Sequence, residues 1–575
     1  MLNKFQYIKG ALRCKMVVFL MVFFSVLQAM GQTLPVGMPV LQDVYRRNQL
    51  LGKINNEVSF TVLPLFPFQV TDKSKVFDPD STMSGSSLIS MKSRFVFAKK
   101  KGKIELLPII WKQQTNTKFP YGLNDGAMIP ARGYQTLFSA GFYAQYGPLS
   151  IQLWPEVVYA QNSPYAGFPE NYSDEIWAQY YWRLNEIDLP ERFGNGPYSK
   201  ITWGQSSIRF TFGPVSFGLS NENLWWGPGI RNTLVMTNNA AGFKHLTLNS
   251  VRPVNTVIGS FEWQLIAGRL EPSGYLPAGS DRTFNGRQLY NPKPDEWRFL
   301  SGVILTYHPK WVPGLFLGAT RTMQQYHTTV GRNLIDYFPV FTPYGLRKAG
   351  GDGALAQKRS QLYSFFMRWL WEKGHGEVYF EYGRNDYYWD KRDLQVEPAY
   401  SGAFVVGFRK LVPLKNRKDQ YLQIMSEFTQ LAFNPTTINR NGNNATSWYT
   451  SGVVRAGYTH EGQIIGSGIG PGSNMQTLEV DWVKSLKMIG LRFERLVHNN
   501  DFFLLYIKDI RRNWVDVSAT LIGQWPYKNL LFSGRIQYVR SMNYEWQFTP
   551  PSSGYWGPGL DVTNLHLRLG VVYRF

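Results

Sequence analysis

From Leu565 to the final Phe575 the chain alternates without exception. Leu565, Leu567, Leu569, Val571, Tyr573 and Phe575 take every odd position, and Asn564, His566, Arg568, Gly570, Val572 and Arg574 sit between them. Successive side chains of a strand point to opposite faces, whereas a helix would scatter those six apolar residues around its circumference. This segment is therefore a strand with one wholly apolar face. The pattern recurs upstream. Val515, Val517, Ala519 and Leu521 alternate with Asp516, Ser518 and Thr520; Leu478, Val480 and Trp482 with Glu479 and Asp481; Leu491 and Phe493 with Arg492 and Glu494. Phe532, Gly534, Ile536 and Tyr538 alternate with Ser533, Arg535 and Gln537, and Val378, Phe380 and Tyr382 with Glu377, Tyr379 and Glu381. A soluble sandwich or propeller also alternates. Here, charges such as Glu479, Asp481, Arg492, Glu494 and Arg535 lie opposite apolar faces, which suits a wet lumen, and no fixed-period repeat marks propeller blades.

The N-terminus indicates where such strands are needed. Lys4, Lys9, Arg13 and Lys15 precede the twelve-residue run MVVFLMVFFSVL (16–27), and Ala29-Met30-Gly31 follows as a small–x–small cleavage pattern. The run falls short of the ~20 residues a spanning helix requires. Residues 1–31 thus read as a cleavable signal peptide, with the mature chain starting near Gln32. Its removal takes the net charge from +21 to +17, four cations being lost. The single cysteine, Cys14, lies upstream of the cleavage point, so the mature chain has neither disulfides nor thiol chemistry. Nucleic acid is a poor partner for an exported basic protein. Acidic polysaccharide or anionic lipid headgroups suit that compartment better, or else the charges simply solvate loops.

Aromatic residues make up 16 % of the chain while mean hydropathy is −0.26. No later apolar run could form a membrane helix. Together these features predict an all-β fold: a transmembrane outer-membrane β-barrel of about 16–18 antiparallel strands, with aromatic girdles and a few short periplasmic helices. Residues 32–57 are expected to form an N-terminal periplasmic helical segment, containing DVYRRNQLLGKI (43–54). The barrel is expected over 58–575, with VSFTVLPLFPF (58–68) as its first strand and a helix inserted near 172–184, where Ser173 is placed to cap acids in the first turn. Outer-membrane lipid surrounds such a barrel.

Catalytic chemistry is not evident. The seven histidines show no metal-ligand spacing, and His460-Glu461 lacks a second His four residues after the first. GSGIGPGS (466–473) has no Lys-Ser/Thr and reads as a flexible loop. No metal, cofactor or enzymatic activity is expected. A diffusion porin or substrate channel, which shares the barrel and its lumen charges, remains the rival reading.

Two blocks carry a more specific signal. NENLWWGPGIRNTLVMTNNAAGF (221–243), within a region 185–275, and RAGYTHEGQIIGSGIGPGSNMQTLEV (455–480) resemble the Wzi capsule-assembly family of outer-membrane proteins. The resemblance implies a barrel of about eighteen strands with a small helical bundle at its periplasmic mouth. It also implies a lectin-like role: binding exported capsular polysaccharide and helping to assemble or attach the capsule at the cell surface. Outer-membrane barrels typically end on an aromatic that the barrel-insertion machinery recognises, a role that would fall to Phe575. The candidate carbohydrate contacts are Glu222, Trp225, Trp226, Arg231, Asn232, Asn238, Asn239, His460 and Glu461. Two readings of the Trp pair stand side by side. The indoles either anchor the barrel at a membrane interface or stack on sugar rings, with Gly227-Pro228-Gly229 fixing the turn that presents them.

Overall fold

The computed structural model describes residues 32–66, 77–79, 94–342, 358–385, 391–397, 399–434, 447–550, 554–557 and 559–575. The proposed signal peptide lies outside the described residues. Among the described residues, eighteen antiparallel strands form one closed barrel. Closure joins the last strand, Val562–Tyr573, to the strand Gly102–Asn116, with His566 opposite Asn116 and Tyr573 opposite Ile109. Pro108 interrupts the latter strand. It has no amide hydrogen to donate, and the register against Gly133–Tyr146 shifts there, between Leu107 and Ile110.

The alternation read in the sequence is the alternation of exposure in the wall. Leu565 and Leu569 are exposed to the outside, while Asn564, His566 and Arg574 are buried within. In the strand Val515–Tyr527, Val517 and Leu521 face out, and Asp516, Ser518 and Thr520 face in. The outward side chains are apolar because they face hydrocarbon, while closure of the wall satisfies the backbone hydrogen bonds. No helix among the described residues is long and apolar enough to cross a membrane.

Connections at one end of the barrel are short, such as those between Lys484 and Lys487 and between Tyr527 and Leu530. At the other end they are long, as between the strands Gly259–Leu270 and Arg298–Pro309. Short turns belong on the periplasmic side and long loops outside, which puts the C-terminus at the periplasmic end. The helix expected near 172–184 is present as Asp174–Leu184, with Ser173 at its N-cap position. It belongs to a long connection, between the strands Glu156–Ala160 and Tyr198–Thr202, and so lies on the outer side rather than the periplasmic one.

The N-terminal segment departs from expectation. Helix Leu41–Leu50 forms, but eight of its residues, including Arg46 and Arg47, are buried. It sits inside the barrel. Arg46 Nε reaches Glu377 Oε1 of the wall at 3.0 Å, and Arg409 joins Asp43 of the helix to Glu377. Residues 58–66 are not the first wall strand. Only Val62–Leu63 is extended as strand, and it pairs with Trp225–Trp226 in a two-stranded sheet separate from the wall. The physical reason is that 58–66 alternates poorly: Val58, Phe60, Leu63, Leu65 and Phe66 are all buried, as are Ser59 and Thr61. A segment with no exposed face belongs in an interior.

Candidate functional site

The stretch 221–243 folds inward and fills the lumen together with residues 32–66. Adjacent side chains of an extended segment point to opposite faces, and here both faces are apolar. Trp226 packs among Leu234, Val235, Met236, Ile266 and Leu300, and its Nε1 donates to Gln264 Oε1 at 2.9 Å. Trp225 packs on the other side with Val40, Tyr45, Phe60 and Leu63. The glycines that follow are required by geometry. Gly227 has φ +126°, which L side chains rarely adopt, and a Cβ at Gly229 would fall 1.7 Å from the carbonyl oxygen of Asn232. The wall holds this turn by its backbone: Glu427 accepts from the amides of Ile230 (2.8 Å), Arg231 (2.9 Å) and Asn232 (2.8 Å), and Glu381 accepts from that of Leu234.

Neither reading of the Trp pair fits this placement. Trp226 is 0 % exposed and Trp225 6 %, so they meet neither lipid nor a sugar face. Their role is to close the lumen. Glu222 is equally enclosed, accepting from Arg209 at 2.6 Å and Ser220 at 2.9 Å, and bonding Thr33. Burial opposes its charge, but Arg209 beside it and these hydroxyls hold the carboxyl below its usual range. Asn232 accepts from Ser467 Oγ at 2.8 Å, and Asn238 donates to the Asn124 carbonyl at 3.0 Å. Arg231 pairs with Glu494 at 2.7 Å.

His460 and Glu461 stand elsewhere, in the hairpin Thr459–His460/Gln463–Ile464. Burial pushes the His460 imidazole down to about 4, so it is neutral, and its Nδ1 accepts from the Glu271 amide at 3.1 Å. Glu461 pairs with Lys200 at 2.5 Å. The nine residues therefore do not form one site. Most tie the lumenal segments together.

Asn239 is only part-buried and lies among the long connections. It lines a cavity of about 340 Å³ enclosed by the long connections. Tyr121, Tyr180, Trp514 and Trp546 supply aromatic surface, Gln463 and Asn499 supply amides, and His498 and Glu545 supply further polar groups. The aromatic frame is held by ring contacts and hydrogen bonds. Trp514 stacks on His498 with ring centroids 3.9 Å apart and meets Trp546 edge-on at 5.1 Å. Its Nε1 donates to Ser541 Oγ at 2.8 Å, and His498 Nε2 lies 2.7 Å from Asp516. Burial, with Glu191 and Asp516 nearby, raises the Glu545 carboxyl well above its usual range. Asn543, Glu545 and Trp546 all have positive φ, a strained run held in place by this packing. Apolar faces with a few convergent polar groups, in a volume within the ~300–1,000 Å³ of ligand sites, are the general features of a small-molecule pocket.

The sequence reading missed Tyr121, Tyr180, Trp514 and Trp546 because it followed the densest aromatic motif. A better signal was available: aromatics in long connections, just beyond strand ends, have no place in a membrane girdle. Among the described residues, no group of three or more His, Cys, Asp or Glu is placed to hold a metal.

A closed wall with an apolar exterior, a filled lumen and a pocket among the outer loops define an outer-membrane β-barrel protein that is not built around an open pore. Comparison with known proteins supplies the family. The profile of "Capsule assembly protein Wzi" matches residues 130–545, and the chain belongs to the Wzi capsule-assembly family. Its fold is that of the Escherichia coli outer-membrane protein Wzi, a carbohydrate-binding β-barrel involved in group 1 capsule assembly. The two are 13 % identical, and the match covers 95 % of this chain and 100 % of that one with a TM-score of 0.59. Acinetobacter baumannii OccAB2 (10 % identity, 81 % of this chain and 98 % of that one, TM-score 0.39) and Pseudomonas aeruginosa OccK8 (10 %, 81 % and 97 %, 0.37) are more distant in shape. No curated protein sequence matches the chain.

Proposed function

We propose that this protein binds exported capsular polysaccharide at the outer surface and helps assemble or attach the capsule there, without catalysis. The observation that carries the reading is the pocket around Trp514, Trp546 and Tyr121, whose aromatic faces and amides suit a pyranose ring and its hydroxyls. Membership of a capsule-assembly family and the carbohydrate binding of the E. coli relative support it. The filled lumen argues against the channel reading, because residues 32–66 and 221–243 occupy the path that a solute would take.

The test is retention of capsular polysaccharide, prepared from the producing strain, on the purified protein in detergent. Wild type is expected to retain the polymer. Trp514→Ala, which removes the central ring, is expected to lose most of that retention while the protein stays folded. Equal retention by both proteins would refute the pocket assignment. Absence of retention by wild type, together with a normally attached capsule in a deletion strain, would refute the function.

A further inference from the structure

A second cavity, about 240 Å³, lies inside the barrel between the lumenal segment and the wall, and six cationic residues line it: Arg46, Lys112, Arg231, Arg492, Arg535 and Arg568. Most have carboxylate partners. Arg46 pairs with Glu377 at 3.0 Å, Arg231 with Glu494 at 2.7 Å, Arg568 with Asp125 at 2.6 Å, and Arg492 with Glu479. Lys112 donates to the Gly37 carbonyl at 3.0 Å and interacts electrostatically with Glu156 and Asp125. Arg535 has no hydrogen-bond or ion-pair partner among the described residues. The two carboxylates that line the cavity, Asp43 and Glu479, are already engaged by Arg47 with Arg409 and by Arg492.

Register sharpens the imbalance. Arg535 stands directly opposite Arg568 on the neighbouring strand, and both side chains belong to the inner face. Like charges directly opposite across a strand pair repel. An unpaired charge out of bulk water is costly without a counterion. Asp125, already paired with Arg568, and Glu156 act on Lys112, which leaves Arg535 as the cation of this corner with no ion pair of its own.

We propose that this cavity is a binding site for a single oxyanion, a carboxylate or phosphate, held by the Arg535 guanidinium with Arg568 and Lys112 beside it. Guanidinium groups present paired N–H donors that match such oxygens. The site is distinct from the outer pocket around Trp514 and does not depend on that pocket's assignment.

Isothermal titration of the purified full-length protein in detergent tests it, with inorganic phosphate as the probe and ionic strength held constant with sodium chloride. Wild type should bind about one equivalent saturably. Arg535→Gln should weaken binding by at least about tenfold, the worth of one charge-assisted hydrogen bond. It should also fold at least as well as wild type, since it relieves the repulsion with Arg568. Trp514→Ala should bind phosphate normally even where it loses polysaccharide, which separates this inference from the function proposed above. Sodium glucuronate then distinguishes the source. If it displaces phosphate, an acidic sugar of the polymer can occupy the site; if it does not, the occupant is a free inorganic anion. Unsaturable phosphate binding, or equal affinity in wild type and Arg535→Gln, would overturn the proposal.

Discussion

Arg46 of the lumenal helix and Glu377 of the wall form a buried ion pair, and the same carboxylate also receives Arg368 at 2.6 Å and Arg409 at 2.9 Å. One acid thus holds three guanidiniums. Removing one side of a buried pair costs about 3–5 kcal/mol because the other charge is stranded. Glu377→Gln keeps the shape, strands Arg46 and Arg368, and leaves Arg409 with Asp43 alone. The expected outcome is faster amide exchange over residues 41–50 and intermittent conductance in planar bilayers, where wild type is nearly silent. Unchanged exchange in that helix would show that the ion pairs do not hold it.

Trp226→Ala and Trp514→Ala are expected to separate structure from binding. Trp226 is fully enclosed, and truncating such a side chain costs about 3–5 kcal/mol. Its loss should lower the denaturation midpoint and loosen 221–243, with polysaccharide retention reduced only in proportion to the unfolded fraction. Trp514 lines a pocket, and its loss should act on retention first. The reverse ranking in paired melting and retention assays would reassign both residues.

Outward positions on the final strand should respond to charge according to depth. Leu569, 59 % exposed and near the middle of Val562–Tyr573, faces the hydrocarbon. Leu569→Arg is expected to cost ~2–4 kcal/mol, and Thr563→Arg, at the strand's outer end, ~0–1 kcal/mol. Refolding into lipid vesicles under denaturant titration measures both. Equal costs at the two positions would misplace the membrane band.

His460 gives a pH dependence with a definite sign. Its folded pKa of about 4 lies below the ordinary 6.5, so between those values the folded hairpin binds fewer protons than the unfolded one. Stability from this group is fully present above pH 6.5 and is lost as pH falls toward 4. A proton on Nδ1 would displace the Glu271 amide that it now accepts. Exchange at the Tyr458 and Ile465 amides, which bond within this region, should accelerate over that window. His460→Asn, whose Oδ1 can accept in place of Nδ1, should flatten the profile. An unchanged slope in the variant would assign the effect to other groups.

The wall was legible in the sequence because its cause is local. A strand between lipid and interior writes period two into its own residues, as Leu565 through Tyr573 do. The lumenal segments were not legible. Val58–Phe66 is buried on both faces, and periodicity cannot tell a strand in a wall from an extended segment enclosed on all sides. Trp225 and Trp226 raised the right question, but its answer depends on Leu63 and Gln264, which lie far away in sequence. The outer pocket was illegible for the same reason. Tyr121, Tyr180, Trp514 and Trp546 come from four separate connections, and only barrel closure brings them together.

The seam between Val562–Tyr573 and Gly102–Asn116 sets an order on biogenesis. Synthesis and export proceed from the N-terminus, so both lumenal segments, 32–66 and 221–243, reach the periplasm well before the wall's final partner. Until 562–573 arrive, residues 109–116 present an unpaired edge, which invites wrong pairings. Throughout that interval Val62–Leu63 can meet Trp225–Trp226 in an assembly that is still open on one side. The protein can therefore be filled before it is sealed, and a chain cut short of its last strand would carry its stopper but have no vessel to close.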